Sequence, residues 1–207
     1  LPPTWAPQLR GILSRSTGYD HLNAYRALTA PACPALGYLP LYCARAVAEQ
    51  ALLLTLALLR RLPQQLAAFE RFQRDHLTGR EIAGKTMALF GVGNIGYEIW
   101  RIASSLGVHV LGVDPVQKHA DVTYAPPAQA LAAADIIICA MNLTPRNHGY
   151  FTREVLAQTT RRPLLVNIAR GEFTPAAVLE EALTTGALSG VALDVFHEEA
   201  ILAPALR

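Results

Sequence analysis

The chain has 207 residues, 52% of them apolar and 16% charged, with a net charge of +2. That composition is ample for a buried core, and the two signs are scattered, so no basic stripe points to a nucleic acid. The longest apolar block, Ala51 to Leu59, is broken by Thr55 and flanked by Glu49, Gln50, Arg60 and Arg61, which is too short for a membrane span. Cys33, Cys43 and Cys139 show no metal-ligand spacing, so no metal is expected, and their odd number fits free thiols in a reducing, cytoplasmic compartment. No signal peptide is visible, and the numbering opens on Leu1 rather than Met, as for a processed chain or a piece of a longer one.

In chain order, Leu9 to Ser14 reads as a short strand, followed by a loop of small residues, Arg15-Ser16-Thr17-Gly18-Tyr19-Asp20. Asn23 to Leu28 reads as a helical turn, and the prolines of Thr29 to Pro40 leave room for little beyond a short strand. Val47, Ala51, Leu54, Ala57 and Leu58 recur at helical spacing, predicting a long helix over Ala44 to Leu62 that Pro63 ends or kinks. Gln64 to His76 then reads as a polar helix. From Gly84 onward buried runs alternate with helices: strands at Thr86–Phe90, Val108–Val113, Ile136–Ala140, Leu164–Ile168 and Val191–Val195, with helices at Tyr97–Leu106 and Thr152–Gln158. Thr174-Pro175 predicts a further helix start, Thr as N-cap and Pro at the first position, with Gly186 as its stop. This alternation is that of an α/β protein with a doubly wound parallel sheet.

The most informative stretch is Gly91-Val92-Gly93-Asn94-Ile95-Gly96, because a strand precedes it and a helix follows. Gly91 permits the tight turn, Gly93 lets a pyrophosphate approach the backbone, and Gly96 lets the helix pack closely. The helix N-terminus, at Asn94 and Ile95, offers its N–H groups and the positive end of the helix dipole to the phosphates. Asp114 ends the next strand, 18 residues after Gly96. Its carboxylate accepts from a ribose diol and repels a 2′-phosphate, which favours NAD over NADP. Asn142 and Thr144 follow another strand end, where open α/β sheets bind ligands.

In these motifs the chain resembles the D-isomer-specific 2-hydroxyacid dehydrogenases. The resemblance rests on Arg15–Asp20, Ala46–Ala51, the GVGNIG turn, Asn167-Ile168-Ala169-Arg170-Gly171, and Leu193-Asp194-Val195-Phe196-His197-Glu198-Glu199. It implies a Rossmann-like NAD-binding domain at 42–207, including the linking helix 44–62, and a remnant of a flavodoxin-like substrate domain at 1–41. It implies hydride transfer between a nicotinamide and C2 of a small 2-oxo or 2-hydroxy acid. Arg170 matches the substrate-binding arginine, whose fork suits a carboxylate. Glu199 matches the catalytic glutamate that keeps a histidine protonated. Thr17 and Gly18 match a loop whose backbone N–H groups meet the substrate carboxylate, and Asp194 a residue near the nicotinamide carboxamide. Val47, Ile168 and Ala169 are further cofactor contacts on the same ground. The resemblance also implies a homodimer, with the Ala44–Leu62 helix as a contact element.

The family's acid/base histidine lies in a Pro-His motif downstream of the glutamate, and none of the six histidines fits it. The expectation is a truncated cofactor domain that binds NADH and turns over little by itself. A non-catalytic NAD(H)-binding regulatory module of the same fold is the alternative. A hydrolase with a similar domain, such as S-adenosylhomocysteine hydrolase, accords less well with the ARG and DVFxxE blocks.

Overall fold

The computed structural model describes residues 8–26, 28, 34–72 and 75–196. The chain divides into two compact units, Leu1–Ala44 and Arg45–Arg207. In the first, β1 (Gly11–Leu13) and β2 (Ala35–Gly37) pair in parallel, Gly11 opposite Ala35 and Leu13 opposite Gly37. A 3₁₀ turn at Asp20–Leu22 and the single-turn helix α1 (Asn23–Arg26) lie between them in sequence and bury Leu22 and Tyr25. The strand is shorter than the expected Leu9–Ser14, although the Ser14 N–H still donates to the Gly37 carbonyl at 2.9 Å.

The second unit is built on one six-stranded sheet. Its strands are β3 (Thr86–Phe90), β4 (His109–Val113), β5 (Thr123–Tyr124), β6 (Ile136–Cys139), β7 (Leu164–Asn167) and β8 (Gly190–Leu193), in the order β5-β4-β3-β6-β7-β8. Every neighbouring pair is parallel. The chain builds outward from β3 through β4 to β5, then returns to the other side of β3 and builds through β6 to β8. That reversal is the doubly wound order, and the crevice at the carboxyl ends of β3 and β6 is its switch point.

The helices are α2 (Ala44–Leu59), α3 (Leu62–Phe69), α4 (Asn94–Ser105), α5 (Pro127–Ala133), α6 (Arg153–Leu156) and α7 (Ala176–Thr185). Side chains of a strand alternate between faces, and here both faces are covered, which is why the strands read as unbroken apolar runs. Met87 and Leu89 of β3 join Ile136 and Ile138 of β6 in a core that includes Ala48, Ala51 and Leu52 of α2 and Ile99 and Ala103 of α4. Ala88 and Phe90 join Ile137 and Cys139 in the opposite core, with Phe151, Phe173 and Leu179.

Four local readings are corrected. The long helix stops at Leu59, because Arg61 takes the left-handed conformation (φ 55°), and Pro63 sits in the first turn of a new helix instead of kinking the old one. The expected polar helix Gln64–His76 is α3, which ends at Phe69 and exposes Leu66 and Phe69. Helix α6 is a single turn, Arg153–Leu156, capped by the Thr152 hydroxyl, which accepts from the Val155 N–H at 3.3 Å. Thr174 does not cap α7; its buried hydroxyl accepts from Asn167 Nδ2 at 2.9 Å, and Pro175 takes the N-cap position. Gly186 ends α7 in the left-handed conformation (φ 77°), as expected. No helix of the described residues is long and apolar enough to cross a membrane.

Burial at the end of β6 pushes the Cys139 thiol up to about 12. Iodoacetamide at pH 8 is therefore expected to leave Cys139 unlabelled in the folded protein and to label it after denaturation, as peptide mass mapping reads directly. The folded value lies above the unfolded thiol's, about 8.5. This group's stabilisation is thus fully present below that pH and is lost as pH rises through the folded value.

Candidate cofactor site and active site

Because the strands of the second unit are parallel, their carboxyl ends share one edge of the sheet. The residues after them, 91–96, 114, 142–144, 168–170 and 194, therefore collect along that edge. The turn after β3 is the tightest part. Gly91 has φ +92°, and a Cβ there would sit 2.6 Å from the Ala140 carbonyl oxygen, just after β6. A Cβ on Gly96 would sit 2.0 Å from the Gly91 carbonyl oxygen. The third glycine is thus needed where α4 crosses the turn itself, closer than the sheet packing expected for it. Gly93 differs: a Cβ there meets nothing within 4 Å.

Gly93 is also the N-cap of α4 and brings no capping side chain. At the helix start Asn94 is exposed and Ile95 packs on the core, and among the described residues nothing stands within 4 Å of where a Gly93 side chain would begin. Those features fit a pyrophosphate held by backbone N–H groups.

Asp114 is half-buried and holds two backbone N–H groups. Its Oδ2 accepts from the Val92 N–H inside the glycine turn at 2.8 Å, and its Oδ1 accepts from the Val116 N–H at 2.8 Å. One carboxylate pins the turn to the loop after β4 and still has lone pairs for a diol. Asp114→Ala is expected to weaken NADH binding roughly 10- to 100-fold, since hydrogen bonds to a charged group are worth about 1.5–3 kcal/mol. It is also expected to shrink the preference for NADH over NADPH; parallel fluorescence titrations with the two cofactors check both effects.

On the other side of the switch point, Asn142 and Thr144 are exposed and held by a residue the sequence reading did not single out. Asn147 accepts from the Thr144 N–H (2.7 Å) and hydroxyl (2.9 Å) and donates to the Asn142 carbonyl (2.9 Å). The available signal was weak: an Asn two residues after Pro145, in a turn-prone stretch.

The end of β7 carries a buried polar network. Asn167 is fully buried; its Oδ1 accepts from the Ala169 N–H at 3.0 Å, and its Nδ2 donates to the Arg170 carbonyl at 2.8 Å and to Thr174 Oγ1 at 2.9 Å. All three bonds shape the turn that presents Arg170. Arg170 is half-buried in extended backbone, and its Nη1 donates to the Ala169 carbonyl at 2.8 Å. Ile168 and Ala169 are buried, and both N–H groups are engaged, that of Ile168 by the Cys139 carbonyl and that of Ala169 by Asn167 Oδ1.

Asp194 follows β8. Its N–H donates to the Asn167 carbonyl at 2.9 Å, and its Oδ1 accepts from Gln50 Nε2 of α2 at 2.9 Å. Gln50 is a second residue with no assigned role in the sequence reading, although it lies in the Ala46–Ala51 block. Val47, three residues before it, packs against the core.

Thr17 and Gly18 belong to the first unit. The Thr17 hydroxyl donates to the Leu39 carbonyl at 3.3 Å and lies 3.2 Å from Cys43 Sγ, while the Leu39 N–H donates to the Ser16 carbonyl at 3.3 Å. Glu199 lies outside the described residues.

Solved structures agree with this architecture. A glyoxylate reductase from Paecilomyes thermophila superposes with a TM-score of 0.87 at 25% identity, covering 100% of this chain and 63% of that one. A D-lactate dehydrogenase from Aquifex aeolicus, complexed with NAD and lactic acid, gives 0.84 at 27% identity over 94% of this chain and 60% of that one. Among curated relatives, a D-3-phosphoglycerate dehydrogenase of Methanocaldococcus jannaschii is 34% identical over 74% of this chain and 31% of its own length. The 2-hydroxyacid dehydrogenase A of Aspergillus oryzae is 31% identical over 98% of this chain and 59% of its own length. The chain thus spans about a third and three fifths of the lengths of these two curated relatives. Residues 52–206 match the family model of the D-isomer specific 2-hydroxyacid dehydrogenase NAD-binding domain, and with the doubly wound sheet and its glycine turn in place the chain belongs to that family.

Proposed function

We propose that the protein carrying this chain is an NAD-dependent D-2-hydroxyacid dehydrogenase. The observation that carries the reading is the single sheet edge along which the glycine turn, Asp114, Arg170 and Asp194 follow the ends of β3, β4, β7 and β8. The nicotinamide, when bound, supplies or accepts the hydride. The chain's own groups do the rest. The N–H groups of Asn94, Ile95 and Gly96 hold the pyrophosphate, and Asp114 holds the adenosine ribose. Asn142, Thr144, Ile168, Ala169 and Val47 line the remaining cofactor path. Asp194, oriented by Gln50, receives the carboxamide and so selects the nicotinamide face. Arg170 grips the carboxylate of a 2-oxo acid and polarises its C2 oxygen, which lowers the barrier as negative charge develops there.

The unit Leu1–Ala44 is read as part of the substrate domain, its Thr17–Gly18 loop offering backbone N–H groups to the substrate carboxylate. Glu199 is read as the partner of an acid/base histidine, keeping the imidazole protonated at neutral pH. Dimerisation through α2 and a cytoplasmic location belong to the same reading.

The test is NADH-dependent reduction of pyruvate, glyoxylate and longer 2-oxo acids by the protein carrying this chain, followed at the NADH absorbance. Arg170→Gln is expected to lower kcat/KM roughly 100-fold or more while leaving NADH affinity nearly unchanged, as for loss of charge-assisted bonds to substrate alone. No turnover of any 2-oxo acid, with NADH binding intact, would favour a non-catalytic NAD(H)-binding module.

A further inference from the structure

Within the first unit, four polar groups form a chain that the proposed chemistry leaves unused. His21 Nε2 lies 2.8 Å from Ser14 Oγ, Ser14 Oγ lies 2.7 Å from Ser16 Oγ, and Ser16 Oγ donates to the Gly18 carbonyl at 2.6 Å. The Ser16 N–H also points to Ser14 Oγ, at 3.4 Å.

Each hydroxyl has one proton to give, and that fixes the direction of the chain. Ser16 gives its proton to Gly18, so the short contact between the serines requires Ser14 to donate to Ser16. Ser14 then has no proton left for His21, so His21 Nε2 must carry the proton and donate to Ser14. The reverse order would set two hydroxyl oxygens 2.7 Å apart with no proton between them. The relay therefore runs from His21 Nε2–H to Ser14, to Ser16, to the Gly18 carbonyl. With the Ser16 N–H included, Ser14 uses both lone pairs and its proton. The backbone around the relay is tied down at both ends, through Ser14 N–H to Gly37 and Leu39 N–H to Ser16.

We propose that His21 is a positioning residue for the Thr17–Gly18 loop. Acting through Ser14 and Ser16, it holds the Gly18 carbonyl and hence the peptide plane beside the N–H groups read as the substrate-carboxylate contact. Bonds polarised in series strengthen one another, so the donor at the head of the relay contributes to the hold on Gly18 three groups away. The proposal rests on the reading of Thr17–Gly18 as a substrate loop.

Two experiments separate the relay from that reading. Long-range ¹H–¹⁵N spectra of the imidazoles, recorded where His21 is neutral, are expected to show one tautomer with Nε2 protonated; a tautomer protonated at Nδ1 alone overturns the relay, whatever the loop does. Steady-state kinetics with pyruvate and NADH, on the protein carrying this chain, then test positioning. His21→Ala is expected to raise the KM for pyruvate about tenfold with kcat and the NADH KM nearly unchanged. His21→Gln, whose amide keeps a donor, is expected to restore most of that loss, and Ser16→Ala to reproduce it. An unchanged pyruvate KM in His21→Ala and Ser16→Ala overturns the proposal. If Gly18→Ala also leaves that KM unchanged, the reading of the loop as a substrate contact fails with it.

Discussion

Gly96→Ala is expected to lose NADH binding and to unfold more easily, although it adds one methyl group. The added carbon would sit 2.0 Å from the Gly91 carbonyl oxygen and 2.9 Å from the Gly91 carbonyl carbon, both backbone atoms. Neither can rotate aside, so α4 must lift off the turn or the turn must open. Overpacking typically costs 1–3 kcal/mol, and a backbone clash belongs at the upper end, roughly 3 kcal/mol. If half or more of that cost falls on the binding-competent turn, NADH affinity drops by at least about tenfold, at roughly 1.4 kcal/mol per decade. Denaturant melts and NADH fluorescence titration measure the two effects. Gly93→Ala is the informative control. Its methyl meets nothing within 4 Å, so the stability loss is expected to stay at about 1 kcal/mol, that of Ala for Gly at an N-cap, while the methyl intrudes on the phosphate space and weakens binding. Parallel losses of stability in the two variants would contradict the division of labour assigned to these glycines.

Asn167→Ala is expected to be the most damaging change at the end of β7. It leaves the buried Ala169 N–H without its acceptor and takes one bond each from the Arg170 carbonyl, which keeps the Phe173 N–H, and the Thr174 hydroxyl, which keeps the Gly171 carbonyl. One unsatisfied buried group costs about 1–3 kcal/mol and each further lost bond about 1 kcal/mol, so the total is roughly 3 kcal/mol. Asn167→Asp fares no better, because it keeps the acceptor for Ala169 but turns a carboxylate oxygen on the Arg170 carbonyl and buries a charge. Thr174→Ser, which keeps the hydroxyl, is expected to cost about 1 kcal/mol for the lost methyl group. The kinetic signature follows from geometry. A destabilised Asn167 variant that still folds is expected to lose kcat/KM for 2-oxo acids more than NADH affinity, because the network shapes the Arg170 turn and leaves the glycine turn alone. Thermal melts paired with kinetics test this; equal losses in both would mean that the network serves stability only.

The parts of the fold that were legible in the sequence are those whose signal is local. The unit from Thr86 to Asp114 combines an apolar run, three glycines at fixed spacing and an acid at a strand tip, and each local preference agrees with the next. Strand β5 has only two residues, too few to carry a period, and escaped notice. The end of α2 depended on Arg61 entering the left-handed region, which its identity does not announce. Thr174-Pro175 is a sound helix start by local rules, but a partner seven residues upstream, Asn167, takes the threonine hydroxyl. The site divides in the same way. Gly91, Gly93, Gly96, Asp114 and Arg170 are readable because their chemistry fixes residue type and spacing. Asn147 and Gln50 hold neighbouring groups across 3 to 144 positions of sequence, and nothing local marks them.

The Gly91–Gly96 turn and Asp114 are expected to form the NAD(H) site together. The most direct test is an amide NMR titration of the chain with NADH, Gly93→Ala in parallel. Saturable binding is expected, with the largest shifts at Gly91–Tyr97 and at Val116, and weakened binding in the variant. Saturable binding with shifts confined elsewhere, or unaltered by the Gly93 methyl, would contradict it.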